Sequence, residues 1–136
     1  VVFCQTQEAL QAAQAAAGLL HVVGATMLES THVFFHGLAA SNAWFEATPA
    51  EQPALRLIAQ ECCRKLALWS DHCRENFTCR HALLSAELAR MEGRELDAMD
   101  WYDRAIISAH DQGFVQYEAL VNERAALFCF SAKFSF

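Results

Sequence analysis

His81–Gln112 reads HALLSAELARMEGRELDAMDWYDRAIISAHDQ, and this stretch decides the fold class. Ala82, Ala86 and Ala89 fall four and three residues apart, which puts them on one face of a helix. Ala98, Tyr102, Ala105 and Ala109 do the same beyond Gly93, while Asp97, Asp100, Arg104 and Asp111 take the opposite face. Small side chains set face to face let two helices approach closely, and Gly93 offers the positive-φ residue that closes a helix tightly. The stretch therefore predicts two antiparallel helices joined at Gly93. No catalytic pattern lies within it.

Working outward, a sixth helix is expected after Gly113, starting at Phe114 and running through Leu120, Leu127 and Phe128. On the other side, Asn76 reads as the N-cap of the helix that leads into His81. Before it, Leu55, Ile58, Ala59, Cys62, Leu66, Trp69 and Cys73 recur at three- and four-residue steps, predicting a third helix that ends near Cys73. Thr48, Pro49 and Glu51 signal its start as a cap, a first-turn proline and a third-position carboxylate. Pro53 removes a helical hydrogen bond, which shifts the expected start towards Glu51. Glu61 and Lys65 are spaced to pair one turn apart. A second helix is predicted over Ser30–Glu46, where residues from Val33 to Phe45 are apolar on nearly all sides, as in a central, buried helix. Residues 1–17 give a first helix with Thr6 as its cap and Ala9, Leu10, Ala13, Ala16 and Ala17 as its apolar side, followed by a break from Gly18 to Gly24.

The 136 residues suffice for one domain with a real core, and 54% of them are hydrophobic with only two prolines and five glycines between them. That profile fits a compact all-helical chain. The net charge of −6 and the scattered ten lysines and arginines argue against nucleic acid and anionic membrane surfaces as partners. No apolar run reaches the roughly 20 residues of a membrane span, so no membrane insertion is expected. Cys4, Cys62, Cys63, Cys73, Cys79 and Cys129 match no small secreted disulfide framework, and a reducing, cytoplasmic setting fits them better. Val1 is not an initiator methionine, and Phe128, Phe130, Phe134 and Phe136 crowd one end with a single lysine among them. Such apolar surface leads us to expect a fragment of a longer chain.

His72, Cys73, Cys79 and His81 form the densest group of metal-ligand residue types. Their cysteines stand six apart where zinc sites prefer two to four, and Cys73 completes the apolar stripe of the third helix, which points to burial. This turn is nonetheless the basis of an alternative function, a small ligand- or metal-sensing domain. His32 and His36 are four apart on one helix face but lack the intervening acid of a zincin motif. Cys62 and Cys63 are adjacent, and Cys63 has Arg64 and Lys65 beside it, a setting for a lowered thiol pKa and redox sensing that competes with simple burial. Asp97, Asp100 and Asp103 sit beside Arg94 and Arg104 in the pattern of a solvated helix face. There is no phosphate-binding glycine loop, dinucleotide fingerprint or serine elbow, so neither an enzyme activity nor a cofactor is expected for this segment. Glu87, Arg90, Arg94, Asp97 and Arg104 mark the expected interaction face.

Gly93, Ala98, Tyr102 and Ala105 follow the spacing of a tetratricopeptide repeat, although a 34-residue shift gives only weak internal correspondence, such as Ala86 over Leu120. The blocks FFHGLAASNAWFEATPAE, LALWSDHCRENF, and HALLSAELARMEGRELDAMDWYDRAIISAHDQGFVQYEALVNERAALF carry a wider likeness between Phe34 and Phe128. In order and content they resemble the helical region of large bacterial and fungal signalling proteins that join a serine/threonine-kinase-like domain, an AAA-type ATPase, a GAF domain and a sensor histidine kinase. Six helices pairing in sequence predict an all-α fold in which antiparallel helical hairpins stack as a short tetratricopeptide-like solenoid, or a bundle built like one, a single helical-repeat domain over 1–136. The resemblance implies a tetratricopeptide-like segment between the ATPase and the GAF or histidine-kinase modules. It implies a non-catalytic scaffold that contacts neighbouring domains of the same polypeptide or a protein partner. The catalytic motifs of such two-component signalling proteins lie in other domains, and none of the six histidines here inherits the phospho-accepting role.

Overall fold

The computed structural model describes residues 6–20 and 27–133. It is all-α, with six helices among the described residues: α1 (Thr6–Leu20), α2 (Met27–Glu46), α3 (Gln52–His72), α4 (Arg74–Met91), α5 (Glu95–Asp111) and α6 (Val115–Lys133). The chain divides into two compact units, residues 1–68 and 69–136.

In the first unit α1 and α2 pack together. α1 continues through Gly18 to Leu20, so the expected break begins later than the sequence suggests; the rest of it, residues 21–26, lies outside the described residues, as does the proposed Thr6 side-chain cap. Leu10 is buried but Ala9 is exposed, which narrows the expected apolar side. α2 starts at Met27, three residues before Ser30, and Ser30 is buried inside it; Glu29 in its first turn complements the positive helix end. Val33, Phe34, Leu38, Ala39, Ala40 and Ala43 are buried, as the apolar run predicts, while Phe35 and Phe45 stay exposed.

The start of α3 follows the capping logic closely. The Glu51 carboxylate accepts from the Thr48 N–H (3.1 Å), and the Glu51 and Gln52 N–H groups both donate to the Thr48 carbonyl (2.9 and 3.1 Å). The regular helix begins at Gln52, so Pro53 falls in the first turn, where its missing N–H leaves no gap. Leu55, Ala59, Cys62 and Leu66 bury the stripe. Glu61 pairs with Arg64, not with Lys65: the guanidinium fork takes both carboxylate oxygens (2.9 and 2.7 Å), a geometry an ammonium lacks.

In the second unit α4 packs against both α5 and α6, and α5 against α6. The last turn of α3 joins this unit through Trp69 on Phe77 (ring centres 5.7 Å apart) and Ser70 Oγ at 3.2 Å from Thr78 Oγ1. Cys73 alone separates α3 from α4 and is the N-cap, at φ −146°. Asn76, read from the sequence as the cap, lies inside the first turn and donates back to Cys73 Sγ (3.2 Å). α4 is the central helix, buried almost continuously from Cys79 to Ala89, and Ala98, Tyr102, Ala105 and Ala109 form the buried face of α5 as expected.

Both connections in this unit have the same build. At Gly93 (φ +72°) the Arg94 N–H donates to the Ala89 carbonyl (2.8 Å) and the Gly93 N–H to that of Arg90 (3.2 Å). At Gly113 (φ +68°) Phe114 donates to Ala109 (3.0 Å) and Gly113 to His110 (3.1 Å). Each is a Schellman motif whose last residue is also the cap of the next helix, since the Arg94 and Phe114 carbonyls accept from Ala98 and Glu118 (2.9 and 2.8 Å).

Candidate functional site

The polar centre of the second unit is a buried carboxylate. Glu87 on α4 is inaccessible to solvent, and its two oxygens accept from Arg124 of α6 (Nε 3.0 Å, Nη2 2.8 Å) and from the Tyr102 hydroxyl of α5 (2.7 Å). A second cation, Arg90, stands 3.9 Å away on the next turn of α4. The guanidinium fork meets both oxygens, so one charge pair ties residues 37 positions apart. Burial, then the Glu87 charge and hydrogen bond, push the Tyr102 hydroxyl well above its ordinary range and keep it a neutral donor. Burial works against the Arg124 charge, but the Glu87 contact outweighs it and holds the guanidinium protonated. The Tyr102 ring leans on Phe128 (5.4 Å), which closes the apolar side of the cluster.

This geometry corrects the expected interaction face. Glu87 does not belong to a surface; its charge is consumed inside the helix cluster. Arg90 is mostly covered beside it. Arg94 and Asp97 are exposed and pair with each other (2.7 Å), with Glu92 as the second partner of Arg94 (2.9 Å). Arg104 is exposed elsewhere on α5, bonded to Asp100 (2.8 Å) and stacked over Trp101 (4.8 Å). Of the expected face, Arg94 and Asp97 alone stay together at the surface.

The turn candidates go separate ways. His72 is exposed, and Cys73 accepts from Asn76. Cys79 is buried, and burial raises its thiol to a pKa of about 11. His81 packs edge-on against Trp101 (5.5 Å), with Ser85 Oγ 3.3 Å from its Nε2, and burial lowers its pKa. Among the described residues no three His, Cys, Asp or Glu side chains are grouped to hold a metal ion. His32 and His36 lie with their rings 5.3 Å apart, and both pKa values are lowered, by burial first and then by Lys65 for His32 and by the neighbouring imidazole and Lys65 for His36. Cys62 is held at a pKa of about 11 by burial despite Lys65 nearby, which opposes an activated thiol there.

Three features escaped the sequence. Arg124 carries no local sign of its long-range partner, although Tyr102 on a buried face signals that some polar group must receive its hydroxyl. Arg80 lies between the rings of Phe77 (5.1 Å) and Tyr117 (5.2 Å), bridging α4 to α6. In the first unit Trp44, Pro49, Gln52, Pro53, Arg56, Leu57 and Gln60 line an open cleft of about 520 Å³, braced by Gln52 Nε2 donating to the Trp44 carbonyl (3.2 Å). No helix of the described residues is long and apolar enough to cross a membrane. Set against protein-family models, curated proteins and solved structures, the chain matches none.

Proposed function

We propose that the chain is a non-catalytic helical-repeat module of a multidomain signalling protein, where it spaces and couples neighbouring domains or holds a protein partner. One observation carries most of this reading: α4, α5 and α6 are joined by two identical Gly-centred connections and bound across their axes by Glu87, Arg124 and Tyr102. Hairpins repeated with a fixed connection and buried against their neighbours are how a repeat array is built. A cluster bound in this way moves as a block, which is what transmission between flanking domains requires. The likeness of the Phe34–Phe128 blocks to the helical region of kinase–ATPase–GAF–histidine-kinase proteins supplies the setting.

The test is the size of the native polypeptide, read by immunoblot of source cells with an antibody to residues 81–112. A band on the order of a hundred kDa or more, several domains of ordinary size, is the expected result. A band near 15.2 kDa, the mass of this chain alone, overturns the multidomain reading.

A further inference from the structure

Leu96, Met99, Asp103 and Ile107 follow one another along α5 at steps of three, four and four, on the side opposite the buried Ala98, Tyr102, Ala105 and Ala109. Leu96 is 82% exposed, Met99 49% and Ile107 59%. Single apolar residues on a surface are ordinary, but three on one helical stripe form a patch of the kind that meets a partner. The same helix carries five carboxylates, Glu95, Asp97, Asp100, Asp103 and Asp111, against one arginine. Arg94 and Arg104 engage Asp97 and Asp100. Asp103, exposed between Met99 and Ile107, and Glu95 and Asp111 at the two ends have no ion-pair partner among the described residues.

We propose that this outer face of α5 docks a basic amphipathic helix of a protein partner. Its apolar side would lie on Leu96, Met99 and Ile107, and its lysines or arginines beside Glu95, Asp103 and Asp111. The apolar stripe leaves the occupant open and the charge selects it. A second copy of the same face, an acidic helix, nucleic acid or an anionic membrane would each bring like charges together, whereas a basic helix satisfies three free carboxylates. From Leu96 to Ile107 the stripe runs about 16 Å, so the partner segment needs about three helical turns. A single helix laid in this way buries less than a standard interface, which places the contact among weak, transient ones. This inference rests on the reading of the chain as an interaction module.

The experiment titrates the labelled 136-residue chain with an amphipathic peptide of about 18 residues, long enough to form a helix, built from leucine and lysine alone. The same peptide with glutamate for lysine is the control, and backbone and methyl chemical shifts are the readout. The expected result is saturable shifts centred on Leu96, Met99 and Ile107 with the lysine peptide only. Asp103→Lys and Leu96→Ser should each weaken binding by about tenfold. Both replace exposed side chains, and Glu123→Lys on the exposed side of α6 should bind as the parent does. Equal binding of the glutamate peptide, unchanged affinity in Asp103→Lys, or no saturation overturns the proposal. Saturable shifts on another helix overturn the assignment to α5 but leave the module reading standing, and that reading fails separately, on the size of the native polypeptide.

Discussion

Glu87 accepts hydrogen bonds from two helices other than its own, and no solvent reaches it. A buried pair of this kind is a weak source of net stability while intact, yet removing one partner strands a charge in a low-dielectric interior. Arg124→Met is therefore expected to destabilise the chain by about 3–5 kcal/mol in chemical denaturation. Glu87→Leu combined with Arg124→Met should recover part of that loss, because the buried Glu87–Arg124 pair is then removed as a whole, while the Tyr102 hydroxyl still loses its acceptor. Additive losses in the double variant would show that the two groups do not act as a pair. The sequence hides this arrangement for a plain reason. Glutamate in an amphipathic helix reads as surface, and the partner that buries it stands 37 residues away on a helix with no matching local signal.

The connections between elements are where local chemistry was most legible. Gly93 announces its positive φ because the alternation of small residues on either side demands a tight reversal there, and the structure places it at φ +72°. A Cβ at this position meets nothing within 4 Å, so the penalty of Gly93→Ala is the backbone conformation alone. It should amount to about 1–2 kcal/mol in urea midpoint measurements, and less for asparagine, which tolerates this region better. A neutral alanine variant would contradict the Schellman geometry. Capping at Thr48 and Glu51 was legible for the same reason, since it needs only residues three apart. Asn76 misled because its side chain satisfies Cys73 Sγ from inside the first turn, a role the residue type alone does not distinguish from a cap. Lys65 misled because an i,i+4 spacing counts distance but not the fork geometry that gives Glu61 to Arg64.

The histidines of α2 and α4 add a pH dependence at this scale. His32, His36 and His81 all have folded-state pKa values below the ordinary 6.5, with burial the leading cause in each. Between those folded values and 6.5 the unfolded chain binds more protons, so stability must fall as pH drops through 6.5 and level off below the folded values. Thermal midpoints followed from about pH 7.5 to about 5.5 should decline, and His36→Gln should flatten part of the slope. A midpoint that rises over that range would contradict the neutral, half-buried state of these rings.

At the scale of the whole molecule the all-α class and the six helices of the described residues were legible, because period-3.6 patterning needs no knowledge of tertiary partners. The division at Leu68 was not, since it falls inside the unbroken stripe of α3 and depends on which residues pack with which. The functional account turns on the second unit acting as one block from α4 to α6. Amide hydrogen exchange of the chain, resolved by segment, tests that most directly. The account predicts that the most protected amides of α4, α5 and α6 open together with one common free energy, and that Arg124→Met lowers protection in all three. Independent opening of α6, with α4 and α5 protection untouched by Arg124→Met, would contradict it.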